Sequence, residues 1–225
     1  MISRLGQSAI VLDAPGDLSL EVQRRIWALA RAARGWPHVR EAVPGMNNLT
    51  LIFDWKHEDA QALSSRLREA WDSRLSLDFA RYARSARDDK KNPRGNAPIE
   101  IPVRYGGEDG PDLALVARHA GLSEEQVIER HAAIEYVVYF LGFKPGFAYL
   151  GGLDPRLATP RRKEPRARIA AGSVGIGGEQ TGVYAVQSPG GWQLIGRTTL
   201  ELFNPQRDTA ALLSPGDIVR FVRTS

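Results

Sequence analysis

The chain has 225 residues, 43% of them hydrophobic and 25% charged, and its 30 Lys and Arg against 26 Asp and Glu give a net charge of +4. This is the composition of a folded globular protein with room for two small domains, too mildly basic to indicate a nucleic-acid binder. The absence of cysteine excludes disulfides, thiolate chemistry and cysteine-based zinc, and the four histidines (His38, His57, His119, His131) form neither an HExxH spacing nor a close pair, so no metal site is expected.

Read in chain order, MISRLGQSAIVLD carries one Arg and no sustained apolar stretch, so no export signal is evident. No apolar run reaches eighteen residues, and a cytoplasmic protein with no membrane partner is expected. SAIVLD (8–13) reads as a strand, and residues 17–35 as a helix with Val22, Ile26, Leu29 and Ala33 on one stripe and Gly35 as its stop. VREAV (39–43) and LTLIFDW (49–55) read as two strands joined by the turn PGMNN, and a second helix is expected from about Glu58 to Leu75. The order β-α-β-β-α predicts a small split-βαβ α+β sandwich over residues 1–85, with helices on one face of the sheet. Residues 83–97, ARSARDDKKNPRGNA, have the composition of a linker, which is placed at 86–97.

A second domain, 98–225, opens with the strand IEIPVRY (99–105). A short helix is expected from Pro111 to Gly121, then another over 123–135 with Ser123 and Gln126 as a capping box. Beyond it come short strands at regular spacing, YVVYFLGF, SVGIGG, GVYAVQ, GWQLIGR and, after an SPGD turn, IVRFV (218–222), which predict a closed or nearly closed barrel.

Three glycine-rich strings stand out in this domain: GFKPGFAYLGG (142–152), AGSVGIGGEQTGVY (171–184) and SPGGWQLIGRT (188–198). Such strings turn tightly and bring backbone amides close to a ligand, so their bends, with Gly146, Gly177, Gly178, Gly190 and Gly191, are expected to line one pocket for anions. GIGGEQTG lacks a following helix and no GxxxxGK[ST] or GxSxG occurs, which argues against a P-loop or a hydrolase elbow. Between the first two strings lies PRRKEPRAR (160–168), five cations against one Glu: either a solvated basic loop or an anion seat built on Arg161 and Arg166. Gln180, Gln193 and Arg197 are poor core residues and become site candidates. His131, late in a helix and four residues before Glu135, has two readings, a satisfied helix-end imidazole or a catalytic group.

Taken together and in order, residues 99–166, AGSVGIGGEQTGVY, SPGGWQLIGRT and the closing SPGDIVRFV resemble the B component of the bacterial three-component 5-oxoprolinase, a family also known as allophanate hydrolase subunit 1 and as a sporulation histidine-kinase inhibitor. Over residues 1–82 the resemblance rests on strand-helix order and on LTLIFD (49–54). It implies a cyclophilin-like β-barrel behind the α+β domain and work in a heteromeric complex with a larger homologous C component. In that scheme the B–C pair uses ATP with Mg, shared with the partner, to activate the small-molecule substrate 5-oxoproline, and the A component completes ring opening to glutamate. A lactam amide is a poor electrophile, and phosphorylating its oxygen creates a leaving group.

On that resemblance His131 is assigned to proton transfer or substrate orientation, Arg161 and Arg166 to anion charge, and Gln180, Gln193 and Arg197 to hydrogen bonds with substrate or phosphate. The chain has neither Met-Lys nor Lys-Met, so no biotin is expected on it. Two other readings stand beside this one: a component of a urea- or allophanate-degrading system, and a regulatory binding protein that inhibits a sensor histidine kinase. Self-association of the chain on its own is left open.

Overall fold

The computed structural model describes residues 1–17, 19–73 and 97–224. The chain divides into two compact units, Met1–Gly95 and Asn96–Ser225. The expected linker at 86–97 lies, apart from Ala97, outside the described residues, as do the last residues of the second expected helix.

In the first unit, strands β1 (Ile2–Leu5), β2 (Ala9–Asp13), β3 (Val39–Pro44) and β4 (Asn48–Phe53) form one antiparallel sheet in the order β1-β2-β4-β3. β4 lies between β2 and β3, antiparallel to both, so the β2–helix–β3 unit is split as the element order predicted. Helix α1 (Leu20–Arg34) starts where Ser19 accepts a hydrogen bond from Val22 N and ends at Gly35; helix α2 (Ala60–Asp72) starts at Asp59, which caps Ala62 N. Both helices place their apolar stripes on the same sheet face, where Ile26, Leu29, Leu63 and Leu67 share a core with Ile10, Leu12, Leu49, Leu51 and Phe53. The sequence reading missed β1, because ISRL has only two apolar residues and three of its four positions are exposed at the sheet edge.

The second unit is a closed seven-stranded barrel. It is built from β5 (Ile99–Tyr105), β6 (Glu135–Leu141), β7 (Ala148–Gly151), β9 (Ser173–Gly177), β10 (Gln180–Val183), β12 (Gln193–Arg197) and β13 (Ile218–Arg223). Their order around the barrel is β10-β7-β6-β13-β5-β12-β9, and β9 and β10 close it as a hairpin. All pairs are antiparallel except β13 with β5. Period-two alternation turns Ile101, Val103, Val219 and Phe221 inward.

Helix α3 (Leu113–Ala120) ends at Gly121 in the left-handed conformation (φ 65°), and helix α4 (Glu124–Ala132) opens with the complete Ser123–Gln126 capping box. Their apolar residues Leu113, Val116, Val127 and Ile128 join the barrel core. Three strands of this unit are absent from the sequence reading: β7, which joins the barrel between β6 and β10, and β8 (Arg166–Ile169) and β11 (Ser188–Gly190), which pair with each other as a separate ribbon. All three are four residues or fewer and contain Arg, Gly or Pro, which hides them from a periodicity argument.

Candidate functional site

Two polar constellations in the barrel unit contain residues that the sequence singles out. The first is inside the barrel. His131, in the last turn of α4, is fully buried, with Nε2 2.9 Å from Thr181 Oγ1 and Nδ1 2.8 Å from the Tyr105 hydroxyl. The Thr181 hydroxyl donates to the carbonyl oxygen of Gly175 at 3.0 Å, so its oxygen accepts from His131 Nε2–H, and His131 Nδ1 in turn accepts from Tyr105. The ring stacks on Phe221 at 4.4 Å, and the Tyr136 hydroxyl donates to the His131 carbonyl oxygen at 2.9 Å. Burial pulls the imidazole pKa down to about 3, so the ring is neutral at pH 7. With both nitrogens held by protein groups, no reactant reaches this ring while the barrel is closed. The geometry therefore favours the core reading of His131 over proton transfer or substrate orientation: the ring pins α4 to β5, β10 and β13.

The second constellation is a strap, residues 159–166, laid along an open cleft of about 450 Å³. Leu115 and His119 of α3 form one wall; residues 159–164 and Gln193 form the rest. The strap is tied down repeatedly. Thr159 forms a β-bridge with Gly178, Gln193 Nε2 donates to the Pro160 carbonyl oxygen at 2.8 Å, and Arg162 N donates to Gly191 O at 2.7 Å. Behind it the buried carboxylate of Asp112 takes Arg166 at 2.8 Å, Arg162 at 3.4 Å and the backbone N–H of Leu194 at 2.7 Å. Arg161 and Lys163 are exposed, and among the described residues neither has an ion pair. The Arg161 guanidinium stands 5.9 Å above the Trp192 ring. Burial raises the hydroxyl pKa values of Tyr149 and Tyr184, and the nearby charge of Arg161 opposes that rise in both. A cleft of this size, edged by two unpaired cations and one exposed carboxylate (Glu164), is suited to a small or nucleotide-sized anion.

The sequence-derived candidates divide accordingly. Arg161 and Gln193 line the cleft. Arg166 lies behind it, engaged by Asp112 through Nη2, while its Nη1 and the Oε1 of Gln193 are buried without a hydrogen bond. Gln180 pairs with Gly177 in the β9–β10 hairpin and does not line the cleft. Arg197 lies at the opposite end of β12 from Gln193, about 13 Å away at strand rise, where it donates to the Ala171 carbonyl oxygen.

The expected convergence of the glycine bends on one pocket is replaced by packing. A Cβ at Gly177 would come within 2.4 Å of the Trp192 indole, one at Gly190 within 2.4 Å of the Tyr184 hydroxyl, and one at Gly146 within 2.6 Å of Phe203. Gly178 and Gly191 are the exceptions, since their backbones hold the strap at Thr159 and Arg162. Most of these glycines thus make room for aromatic rings rather than for a ligand. Sequence reasoning passed over Asp112, Lys163 and His119. The helix start at PDLALV and the i, i+4 spacing of Leu115 and His119 were the available signals.

Among the described residues no three His, Asp or Glu side chains come together to hold a metal ion, and no helix is long and apolar enough to cross a membrane.

Comparison with known proteins adds family context. Residues 1–213 match the family described as "Carboxyltransferase domain, subdomain C and D". The chain is 51% identical over 220 residues to the B component of 5-oxoprolinase from Escherichia coli O157:H7, covering 97% of this chain and 93% of that protein. To the B component of 5-oxoprolinase from Bacillus subtilis (strain 168) it is 44% identical over 226 residues, covering 100% of this chain and 92% of that protein. Among solved structures it superposes on TTHA0988 with a TM-score of 0.76 at 36% identity, covering the whole of this chain but 40% of that one.

Proposed function

The chain belongs to the family of 5-oxoprolinase B components, proteins of the carboxyltransferase subdomain C and D type, and on that premise we propose that it serves an ATP-dependent 5-oxoprolinase in that role, with the strap cleft as the seat of an anionic reactant. One observation supports the placement above the rest: Arg161 and Lys163 are the cations on the cleft wall that lack an acidic partner among the described residues, while Arg162 and Arg166 on the same strap are occupied by Asp112. Free guanidinium and ammonium groups above a tied-down loop attract and orient a carboxylate or phosphate without first breaking an internal ion pair.

The side chains present fit the anionic part of ATP or of 5-oxoproline. Among the described residues no set of carboxylates comes together for Mg, and the metal would arrive on the nucleotide or be held by a larger C component. When bound, ATP supplies the phosphoryl group that makes the lactam oxygen a leaving group. This chain's own part is to hold the anion: Arg161 and Lys163 supply charge, and Gln193 fixes the Pro160 carbonyl beside them. The neutral, enclosed His131 takes no part in proton transfer, so the base comes from other groups.

The test is reconstitution. The chain is co-purified with the C component, the A component is supplied, and 5-oxoproline-dependent ADP release is measured. Arg161→Ala with Lys163→Ala is expected to raise the half-saturating concentration of 5-oxoproline or ATP about a hundredfold, each lost charged hydrogen bond contributing about a factor of ten. No 5-oxoproline-dependent turnover from a stable wild-type assembly would overturn the function, and unchanged saturation in the double variant would remove the cleft.

A further inference from the structure

Asp112 stands where a helix N-cap is expected, immediately before α3, yet it makes no side-chain bond to its own helix. Its carboxylate instead reaches residues 50, 54 and 82 positions away: Arg162, Arg166 and the backbone N–H of Leu194. Its own backbone N–H donates to the Leu194 carbonyl oxygen at 2.9 Å, so residue and strand are clasped from both sides. The side chain is 7% exposed, which leaves little water to substitute for any of these partners.

Two guanidinium groups converge on the single oxygen Oδ1, one at 2.8 Å and one at 3.4 Å. Without the carboxylate between them they repel, and the half-buried Arg166 loses the acceptor that Asp112 gives it, its one side-chain partner among the described residues. Arg162 follows Arg161 and precedes Lys163, so the two free cations flank the residue whose side chain Asp112 holds. The same carboxylate keeps Arg162 and Arg166 from competing for an anion in the cleft.

We propose that Asp112 is the positioning residue of the cleft, fixing Arg161 and Lys163 in place by anchoring Arg162 and Arg166 beneath them. The inference rests on the reading of the cleft as an anion seat. Asp112 itself touches no reactant.

Asp112→Asn keeps the shape and an acceptor for Leu194 N–H but removes the charge. In the assembled complex it is expected to raise KM for the anionic reactant about tenfold with kcat within twofold. Asp154→Asn serves as a control, because it breaks the Arg130–Asp154 bridge of the same unit (2.9 Å) away from the cleft and should lower Tm without moving KM. An Asp112→Asn protein that loses Tm and kcat with KM unchanged would overturn the assignment. Should that variant not fold, Arg162→Gln decides: a KM rise of about threefold supports the anchor, and an unchanged KM overturns it. If the wild-type complex does not turn over 5-oxoproline, the functional reading falls alone. Inorganic phosphate titrated into the isolated chain and followed by the amide NMR signals of residues 161–164 then tests Asp112, weaker shifts in Asp112→Asn supporting it and equal shifts overturning it.

Discussion

His131 and Arg161 belong to the same unit, and both are conspicuous polar residues in the sequence, but they meet opposite environments. One is sealed among Tyr105, Thr181 and Phe221 with every ring nitrogen occupied; the other stands over Trp192 at the mouth of a cleft with no acid to pair with among the described residues. The interior site resolves its hydrogen bonds within the chain, as buried polar groups must, and so has nothing left to offer a ligand. The strap divides its cations instead. Arg162 and Arg166 are paired with Asp112, which leaves Arg161 and Lys163 available for the proposed anion. Availability, rather than residue type, separates the two sets of polar side chains.

The largest effect expected from probing this contrast is on stability. His131→Ala leaves the Tyr105 hydroxyl without its acceptor, takes one donor from the Thr181 oxygen and opens a cavity against Phe221, and should cost about 3 kcal/mol or more in urea unfolding. Turnover per folded molecule should hold; loss of turnover at unchanged stability would break the division between the two sites.

The next effect comes from pH. His131 has its folded pKa pulled to about 3 by burial, below the unfolded value near 6.5. Between these values the unfolded chain binds the extra proton, so stability rises with pH across that window and is lost as pH falls through it. The expected loss is about 2 kcal/mol between pH 7 and pH 5, read from urea midpoints, and a His131→Gln variant should lose that part of the slope.

Smaller again is the single change Arg161→Ala, expected to weaken the anion by about tenfold while unfolding stays within about 0.5 kcal/mol. A large stability loss there would make Arg161 a structural residue after all. Smallest is Arg197→Ala, at the far end of β12, for which saturation by the anion should move less than twofold.

Much of the fold was legible because it rests on periodicity and punctuation. The stripe Val22, Ile26, Leu29, Ala33 with Gly35 behind it gave α1, the Ser123–Gln126 box gave α4, and the alternation in IVRFV gave β13. β1, β7, β8 and β11 were not legible, since each is too short to show an apolar pattern of its own and is held by its neighbours' hydrogen bonds. The site was half legible. A run of cations between two prolines marks the strap, but which arginines are free depends on Asp112, whose partners lie 50 or more positions away. The glycines misled for a related reason: Gly177 looks the same in sequence whether its missing side chain admits a phosphate or the Trp192 ring.

The parallel pairing of β13 with β5 carries a consequence for biosynthesis. Val219 through Arg223 lie beside Ile99 through Val103, and on the other side of β13 lies β6, so the seam between β5 and β6 stays open until the codons for residues 218–223 have been translated and that segment has cleared the ribosome. Until then the core side chains Ile101, Val103, Tyr136 and Val138 face an unfilled gap in the nascent barrel. A stop codon anywhere before Ile218 should therefore yield not a shorter barrel but a sticky intermediate destined for proteolysis, whereas the α+β unit upstream can complete its own sheet while synthesis is still under way.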